Sequence, residues 1–239
     1  MNLLLFQPGE TDADGLVRLD GRRAEHIFCV LHAKPGDRLR AGLLNGGTGT
    51  AEVLESTRHS ALVRADALSR PALPGRDFIP LIALPRPQSF KKTLHFIASS
   101  GIRTAVFTGS ERVEKSYWKS AGMKPEAVQR ELILGLEQGG CTILPDIRFE
   151  PSLPGFLSSP RFRSLAENAM LLAAHPRNAV PCPVMRREKI VCAIGPEGGY
   201  VEKELDLFER SGFRMVEIGP YILRVEFALA VLCGRLLPT

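Results

Sequence analysis

The residues able to do chemistry gather near the C-terminus, in two turns: Ile194-Gly195-Pro196-Glu197-Gly198-Gly199-Tyr200 and Ile218-Gly219-Pro220-Tyr221-Ile222-Leu223-Arg224-Val225-Glu226. Arg224 and Glu226 open a segment that is otherwise almost wholly apolar, from Val225 through Phe227 to Cys233. Charges at the head of a buried helix are costly unless they are paired or used. A Gly-Pro-Glu-Gly-Gly bend lets backbone approach backbone, which suits either an ordinary strand-to-helix connection or a ligand cradle. It is neither a dinucleotide fingerprint nor a Walker A loop, because no Lys-Ser/Thr follows the glycines.

The elements that must position these turns are legible on either side. Lys189 to Ile194 (KIVCAI) suits a buried strand, and Val201 to Arg210 is charged with Leu205 and Phe208 inward, the pattern of an amphipathic helix. Strand, glycine turn and helix together bring backbone N–H groups and a positive helix end to one point. Two such turns can sit side by side at the C-terminal ends of neighbouring strands, where open α/β sheets bind ligands.

Composition sets the bounds. The chain has 239 residues, 44% hydrophobic and 24% charged, so it is globular, with core enough for one large or two small domains. Five scattered cysteines without a CxxC argue for reduced thiols in a cytoplasm rather than a disulfide frame or a zinc site. MNLLLF carries no basic n-region and is too short for a signal peptide, and no apolar run approaches membrane-spanning length. The net charge of +5 permits a polyanionic partner. Residues 1–72 hold nine basic and nine acidic side chains, so any RNA site there must come from arrangement, not bulk charge.

Residues 1–70 read as short strands and turns: Leu16–Leu19, Arg38–Leu44, Thr48–Leu54 and Ala61–Ala67, with a hairpin at Asn45-Gly46-Gly47. Arg23 to His32 reads as a short helix with Ile27, Val30 and Leu31 inward. This spacing predicts a small barrel. Arg22, Arg23, His26, Arg38 and Arg40 either face one way towards phosphates or form a solvated, neutral surface. Arg70 to Arg76 (RPALPGR) is the linker, so the expected domains are 1–72 and 73–239. Beyond it come a strand at Phe78–Leu84, a helix capped by Ser89 and running to Ser100, a strand at Thr104–Phe107 and a helix from Pro125 to about Gln138. The Pro/Ser-rich 151–160 run reads as loop, and Ala169–Ala174 as a strand ending at His175-Pro176-Arg177. Alternating strands and helices indicate an α/β domain with a largely parallel sheet.

IGPEGGY followed by IGPYILRVEFA resembles the two signature motifs of the RsmE-type small-subunit ribosomal RNA (uracil-N3) methyltransferases of the SPOUT superfamily. HIFCVLHAKPGDRL is similar to that family's N-terminal PUA-like domain, with His32 where an Arg is common; no Arg precedes the aromatic in Leu4-Leu5-Phe6. Glu137-Gln138-Gly139-Gly140-Cys141 stands at an EQ-x-x-R motif with Cys141 for the Arg. Phe96, Ser99 and Phe227 stand where Lys, Glu and Thr are usual.

The resemblance implies a PUA-like RNA-binding β-barrel ahead of an α/β domain tied in a deep trefoil knot, a topology that spacing alone does not predict. It implies S-adenosylmethionine as cofactor, held by Leu172, His175, Ile194, Gly195, Pro196, Glu197, Gly198, Gly199, Ile218, Gly219, Pro220, Leu223 and Ala228. It implies methylation of a uridine N3 in 16S rRNA, as free RNA or in the small ribosomal subunit. Arg224 would stabilise charge developing on a uracil carbonyl; Glu226 or Glu197 would serve as base or brace. RNA would meet Arg22, Arg23, His26 and Arg38. The family's homodimer would use the apolar C-terminal helix, with Phe227 and Leu229 contributing; neither a metal nor a membrane is expected. Two other readings stay open: a weakened relative that binds without methylating, and a small-molecule enzyme on a similar sheet.

Overall fold

The computed structural model describes residues 2–184 and 189–237. They form two compact units.

The first unit comprises Met1–Pro74, Ala98–Gly101 and Leu132–Leu144. Its sheet runs β1 (Leu4–Phe6), β3 (Arg38–Leu43), β4 (Thr48–Ser56), β5 (Ser60–Ala65), β2 (Leu16–Asp20), antiparallel except for the parallel β1–β3 pair. Asn45 turns the β3–β4 hairpin with φ of 59°, a conformation Asn tolerates better than most residues. β1 and β2 end the sheet without pairing, so it is a half-barrel rather than a closed one. The gap is filled by α1 (Gly21–Glu25) and the π-helical turn His26–Val30 behind it: Ala24 and Ile27 share one core with Leu4, Phe6, Val17 and Leu19. The π turn adds a residue to the helical cycle, which rotates Val30 and Leu31 off the buried face. They are exposed, not inward.

The second unit comprises Gly75–Ile97, Ile102–Glu131 and Pro145–Thr239. Its sheet is parallel throughout, in the order β10 (Val180–Pro181), β12 (Arg214–Glu217), β9 (Ala169–Ala174), β11 (Lys189–Ile194), β6 (Phe78–Ala83), β7 (Thr104–Thr108), β8 (Asp146–Glu150). All six residues of β6 are buried, as expected for the middle of a sheet covered on both faces. Around it lie α2 (Pro87–Ser99), α3 (Pro125–Gly139), α4 (Leu153–Leu157), α5 (Pro160–Ala166), α6 (Glu202–Arg210) and α7 (Val225–Leu236). One face packs Phe156, Phe162, Leu205, Phe208 and Phe213 on Ala173, Val191 and Ala193.

Two expectations change. The 151–160 run is not loop: each of α4 and α5 is started by a serine that accepts a backbone N–H (Ser152 from Gly155, Ser159 from Phe162) with Pro in the first turn, a strong helix-start signal. And α2 begins at Pro87, so Ser89 lies inside its first turn, buried, rather than capping it. At the other end of the chain α7 packs on β11, and Arg235 Nε donates to the Cys182 carbonyl at 2.8 Å, returning the last helix beneath the segment that follows β9.

Candidate active site

The register of the parallel sheet sets the site. Val216, Ala174, Ile194, Ile82 and Phe107 lie in one row across β12, β9, β11, β6 and β7. The loops after these strands therefore leave the sheet along one edge. Strands are about 4.8 Å apart, so the exits of β11 and β12, with β9 between them, lie about 10 Å apart, a span that suits a nucleoside. The strand order also reverses direction between β11 and β6, the point in an α/β sheet where a crevice opens.

The loop after β11 is braced from several sides. Tyr200, buried, donates its hydroxyl to the Ile194 carbonyl at 3.0 Å and so closes residues 195–199 into a bend. Burial in this apolar setting pushes the Tyr200 hydroxyl far above its ordinary range, so it stays a donor. Gly199 adopts φ of 72°. Pro196 is buried, while Glu197 and Gly198 are exposed. Glu197 accepts from the Arg86 backbone N–H at 3.2 Å, and its carboxylate lies 3.8 Å from the Arg86 guanidinium. Arg112 donates to the Gly198 carbonyl. Of the two roles open to Glu197, these contacts suit the brace.

The loop after β12 opens outward. Gly219 has φ of 135°, and a Cβ there would meet nothing within 4 Å, so the backbone borders free space. Tyr221 and Ile222 are 83% and 100% exposed. Arg224 is the exposed N-cap of α7. Glu226, the second residue of α7, is 6% exposed, and neither of its carboxylate oxygens has a hydrogen-bond partner among the described residues. Its nearest cation is not Arg224 but Lys92 of α2, at 3.6 Å. Burial pushes the Glu226 carboxyl up, yet its own backbone N–H, the nearby Ser89 hydroxyl and Lys92 outweigh that and hold it below the usual carboxylate range. Glu226 is thus an anion, able to accept a hydrogen bond or a proton. Lys92 is the functional candidate that sequence reading missed; nothing in its local pattern distinguishes it from the neighbouring Lys91 on an amphipathic helix.

At the end of β9, His175 Nδ1 accepts the Arg177 backbone N–H at 3.1 Å. Desolvation lowers the His175 pKa, so the ring is neutral with its proton on Nε2, aimed away from that contact. Arg177 is pinned to α6 by Glu202 at 2.7 Å, Asp206 at 2.8 Å and Glu209 at 3.7 Å. Leu172 is fully buried two residues before the strand ends and belongs to the floor; Ala228 is half-buried on α7.

Three of the arginines expected to meet RNA in the first unit also hold acidic partners. Arg23 grips Glu10 through both oxygens at 2.7 and 2.8 Å, Arg22 reaches the buried Glu137 at 2.8 Å, and Arg38 pairs with Asp66. Arg40 is exposed. Among the described residues no three His, Cys, Asp or Glu gather to hold a metal, and no helix is long and apolar enough to cross a membrane.

Residues 75–237 match the model of an RNA methyltransferase domain, and residues 19–66 that of an RNA methyltransferase PUA domain. The chain is 30% identical to the ribosomal RNA small subunit methyltransferase E of Treponema pallidum, over 99% of this chain and 91% of that one. This chain belongs to the ribosomal RNA small subunit methyltransferase E family. A probable rRNA methyltransferase of Porphyromonas gingivalis superposes with a TM-score of 0.69 at 25% identity, covering 96% of this chain and 95% of that one. The methyltransferase E of Neisseria gonorrhoeae, solved bound to S-adenosyl methionine, has the same fold, with a TM-score of 0.72 at 22% identity, covering 98% and 96%.

The family's departures here leave the strand-end loops intact. Phe227 is 55% exposed beside Glu226 rather than filling the site. Cys141 Sγ lies 3.8 Å from the Ser99 carbonyl, so two of the replaced positions touch each other.

Proposed function

We propose that this chain transfers a methyl group from S-adenosylmethionine to N3 of a uridine in small-subunit ribosomal RNA. The observation that carries the reading is the convergence, on one sheet edge, of a braced glycine bend and an open one headed by Arg224 and Glu226. The residues present fit that cofactor. The backbone around Gly219 faces space instead of protein, so its peptide groups are free to hydrogen-bond a nucleoside edge, and a side chain at 219 would occupy the approach.

The cofactor supplies an electrophilic methyl on a sulfonium. The protein's part is to bind, orient and manage charge. Residues 195–199 and 218–223 form the two walls, and His175 Nε2–H is a neutral donor at the strand end between them. Arg224 meets negative charge as it develops on a uracil carbonyl when the N3 proton leaves. Glu226, ionised, accepts the hydrogen bond of the N3–H edge, takes that proton as N3 becomes the nucleophile and passes it to solvent, and it orients the base so that positioning supplies much of the rate. A paired uridine must first be turned out of its helix, because N3 lies on the Watson–Crick edge.

Phe227, Val231 and Ile222, exposed on α7 and the loop before it, form an apolar surface that a second copy would cover. Leu229 is fully buried within its own unit and takes no part in it. The working form on this reading is a cytoplasmic homodimer, and sedimentation as a monomer at micromolar concentration would contradict it. The test of the activity is tritiated-methyl transfer to hypomethylated small subunits, followed by digestion to nucleosides. Label in N3-methyluridine supports the reading; cofactor binding without label favours the weakened relative instead.

A further inference from the structure

Unit 1 holds Arg22, Arg23 and Arg38 in internal ion pairs, and the chain carries a further cationic segment that the reaction does not yet use. Residues 110–124, between β7 and α3, read SERVEKSYWKSAGMK, with four basic side chains against two acidic ones. Lys115, Lys119 and Lys124 are exposed, and none forms an ion pair with a described residue. Between the first two lies Trp118, the only tryptophan in the chain. It is half-buried, in the one-turn 3-10 element Tyr117–Lys119, and is not among the residues of the two cores described above.

The segment is tied to the site by several contacts. It leaves the sheet edge two strands from the exit of β11. Arg112 donates to the Gly198 carbonyl, and buried Glu204 accepts from the Glu111 N–H at 2.9 Å and the Ser110 hydroxyl at 3.2 Å. The Tyr117 hydroxyl donates to Glu114 at 3.1 Å and fixes the turn that presents Trp118. Aromatic rings interleaved with lysines are the means by which proteins hold single-stranded nucleic acid: bases stack on rings while cations track the backbone.

We propose that residues 110–124 form a single-stranded RNA platform on the methyltransferase unit, with Trp118 stacking on a base flanking the target uridine and Lys115 and Lys119 on the adjacent phosphates. The proposal deepens the reading above and rests on it. A flipped uridine leaves its neighbours unstacked, and a ring on the segment that Arg112 ties to the Gly198 loop would hold one of them in register with N3.

The sole tryptophan makes the test direct. The full chain is titrated with a uridine-containing single-stranded RNA while Trp118 fluorescence is followed. Methyl transfer to hypomethylated subunits is measured in parallel for wild type, Trp118→Ala, Trp118→Phe and the pair Lys115→Gln with Lys119→Gln, with cofactor affinity by calorimetry throughout. Expected are quenching by RNA, a KM raised about ten-fold or more in Trp118→Ala and restored in large part by Trp118→Phe, and unchanged cofactor affinity. The lysine pair should flatten the salt dependence of RNA binding by about one to two in log–log slope. Unchanged fluorescence at saturating RNA, in a chain that transfers methyl groups, overturns the proposal. So does a transfer defect on subunits in the lysine pair whose affinity for the single-stranded RNA is unchanged, which would assign the segment to a ribosomal protein. Quenching in a chain that transfers nothing would sustain the platform and refute the methyl-transfer reading instead.

Discussion

Glu204 ties the site together without taking part in its chemistry, and replacing it tests that directly. The side chain is 6% exposed. One oxygen accepts from the Val201 N–H at 2.9 Å and from the Ser110 hydroxyl at 3.2 Å, and the other accepts from the Glu111 N–H at 2.9 Å. It thereby satisfies an orphan N–H at the start of α6, a task the Val201 side chain at the N-cap cannot perform. Glu204→Gln keeps the shape but turns one oxygen into a donor facing another donor. A buried N–H left unmatched costs about 1–3 kcal/mol, and loss of charge assistance on the remaining bonds adds to it. Ser110 and Glu111 border solvent, so water recovers part of this, and the expected loss is about 2 kcal/mol. Urea unfolding followed by Trp118 fluorescence reads this unit specifically, and the midpoint should fall with an unchanged slope. Cofactor affinity should fall several-fold as well, because Glu204 holds the segment from which Arg112 reaches Gly198. A stability loss under about 0.5 kcal/mol, with cofactor affinity intact, would refute the clasp.

Arg224→Ala should lower kcat by about two to three orders of magnitude while leaving the calorimetric affinity for cofactor within a factor of two; wild-type turnover would remove Arg224 from the mechanism. Arg23, through its hydrogen bonds, holds the Glu10 carboxyl below its ordinary 4.5, so the pair stabilises fully above that pH and the benefit fades as pH falls through the lower, folded value. Glu10→Gln should therefore cost about 1–2 kcal/mol at pH 7 and progressively less in acid, and a pH-independent difference in urea midpoints would contradict the pairing. Cys141→Arg alone should destabilise the first unit by about 2–4 kcal/mol, and adding Ser99→Glu should return at least about 1 kcal/mol of it, read from a double-mutant cycle in thermal or urea unfolding.

What could be read from the sequence was what is local. KIVCAI, the glycine turns and the Leu205/Phe208 spacing each report on a few consecutive residues, and each lies in the element expected of it. The helices α4 and α5 carry local signals too: the composition of 151–160 suggests loop, yet Ser152 and Ser159, each followed within two residues by proline, spell a helix start. What stayed illegible was contact at a distance. Glu204 and Glu111 are 93 residues apart, Arg22 and Glu137 are 115 apart, and neither pair is foreshadowed by anything near it. The same limit hid Lys92, whose meaning depends on α7 bringing Glu226 to it from the far end of the chain. The acidic partners of Arg22 and Arg38 are hidden for a related reason, since Glu137 and Asp66 are not their neighbours in sequence.

Long-range contact also changes how the family's replaced residues should be weighed. Counted along the sequence, Phe96, Ser99, Cys141 and Phe227 look like four separate erosions of a functional motif. In the fold Cys141 lies against the Ser99 backbone, and Gly139 packs so tightly there that a Cβ would come within 2.4 Å of the Ser99 oxygen. Under the family resemblance these two positions would take an acid and a base; this chain has two small neutral side chains there. Removing one member of a buried ion pair strands the other at a cost of several kcal/mol; removing both does not, and is often neutral. Joint replacement is therefore what a packing constraint leaves behind, whereas loss of catalytic function would fall first on residues that the fold does not need. Gly219 and Arg224 are of that kind, one bordering open space and the other exposed at a helix head, and both are present.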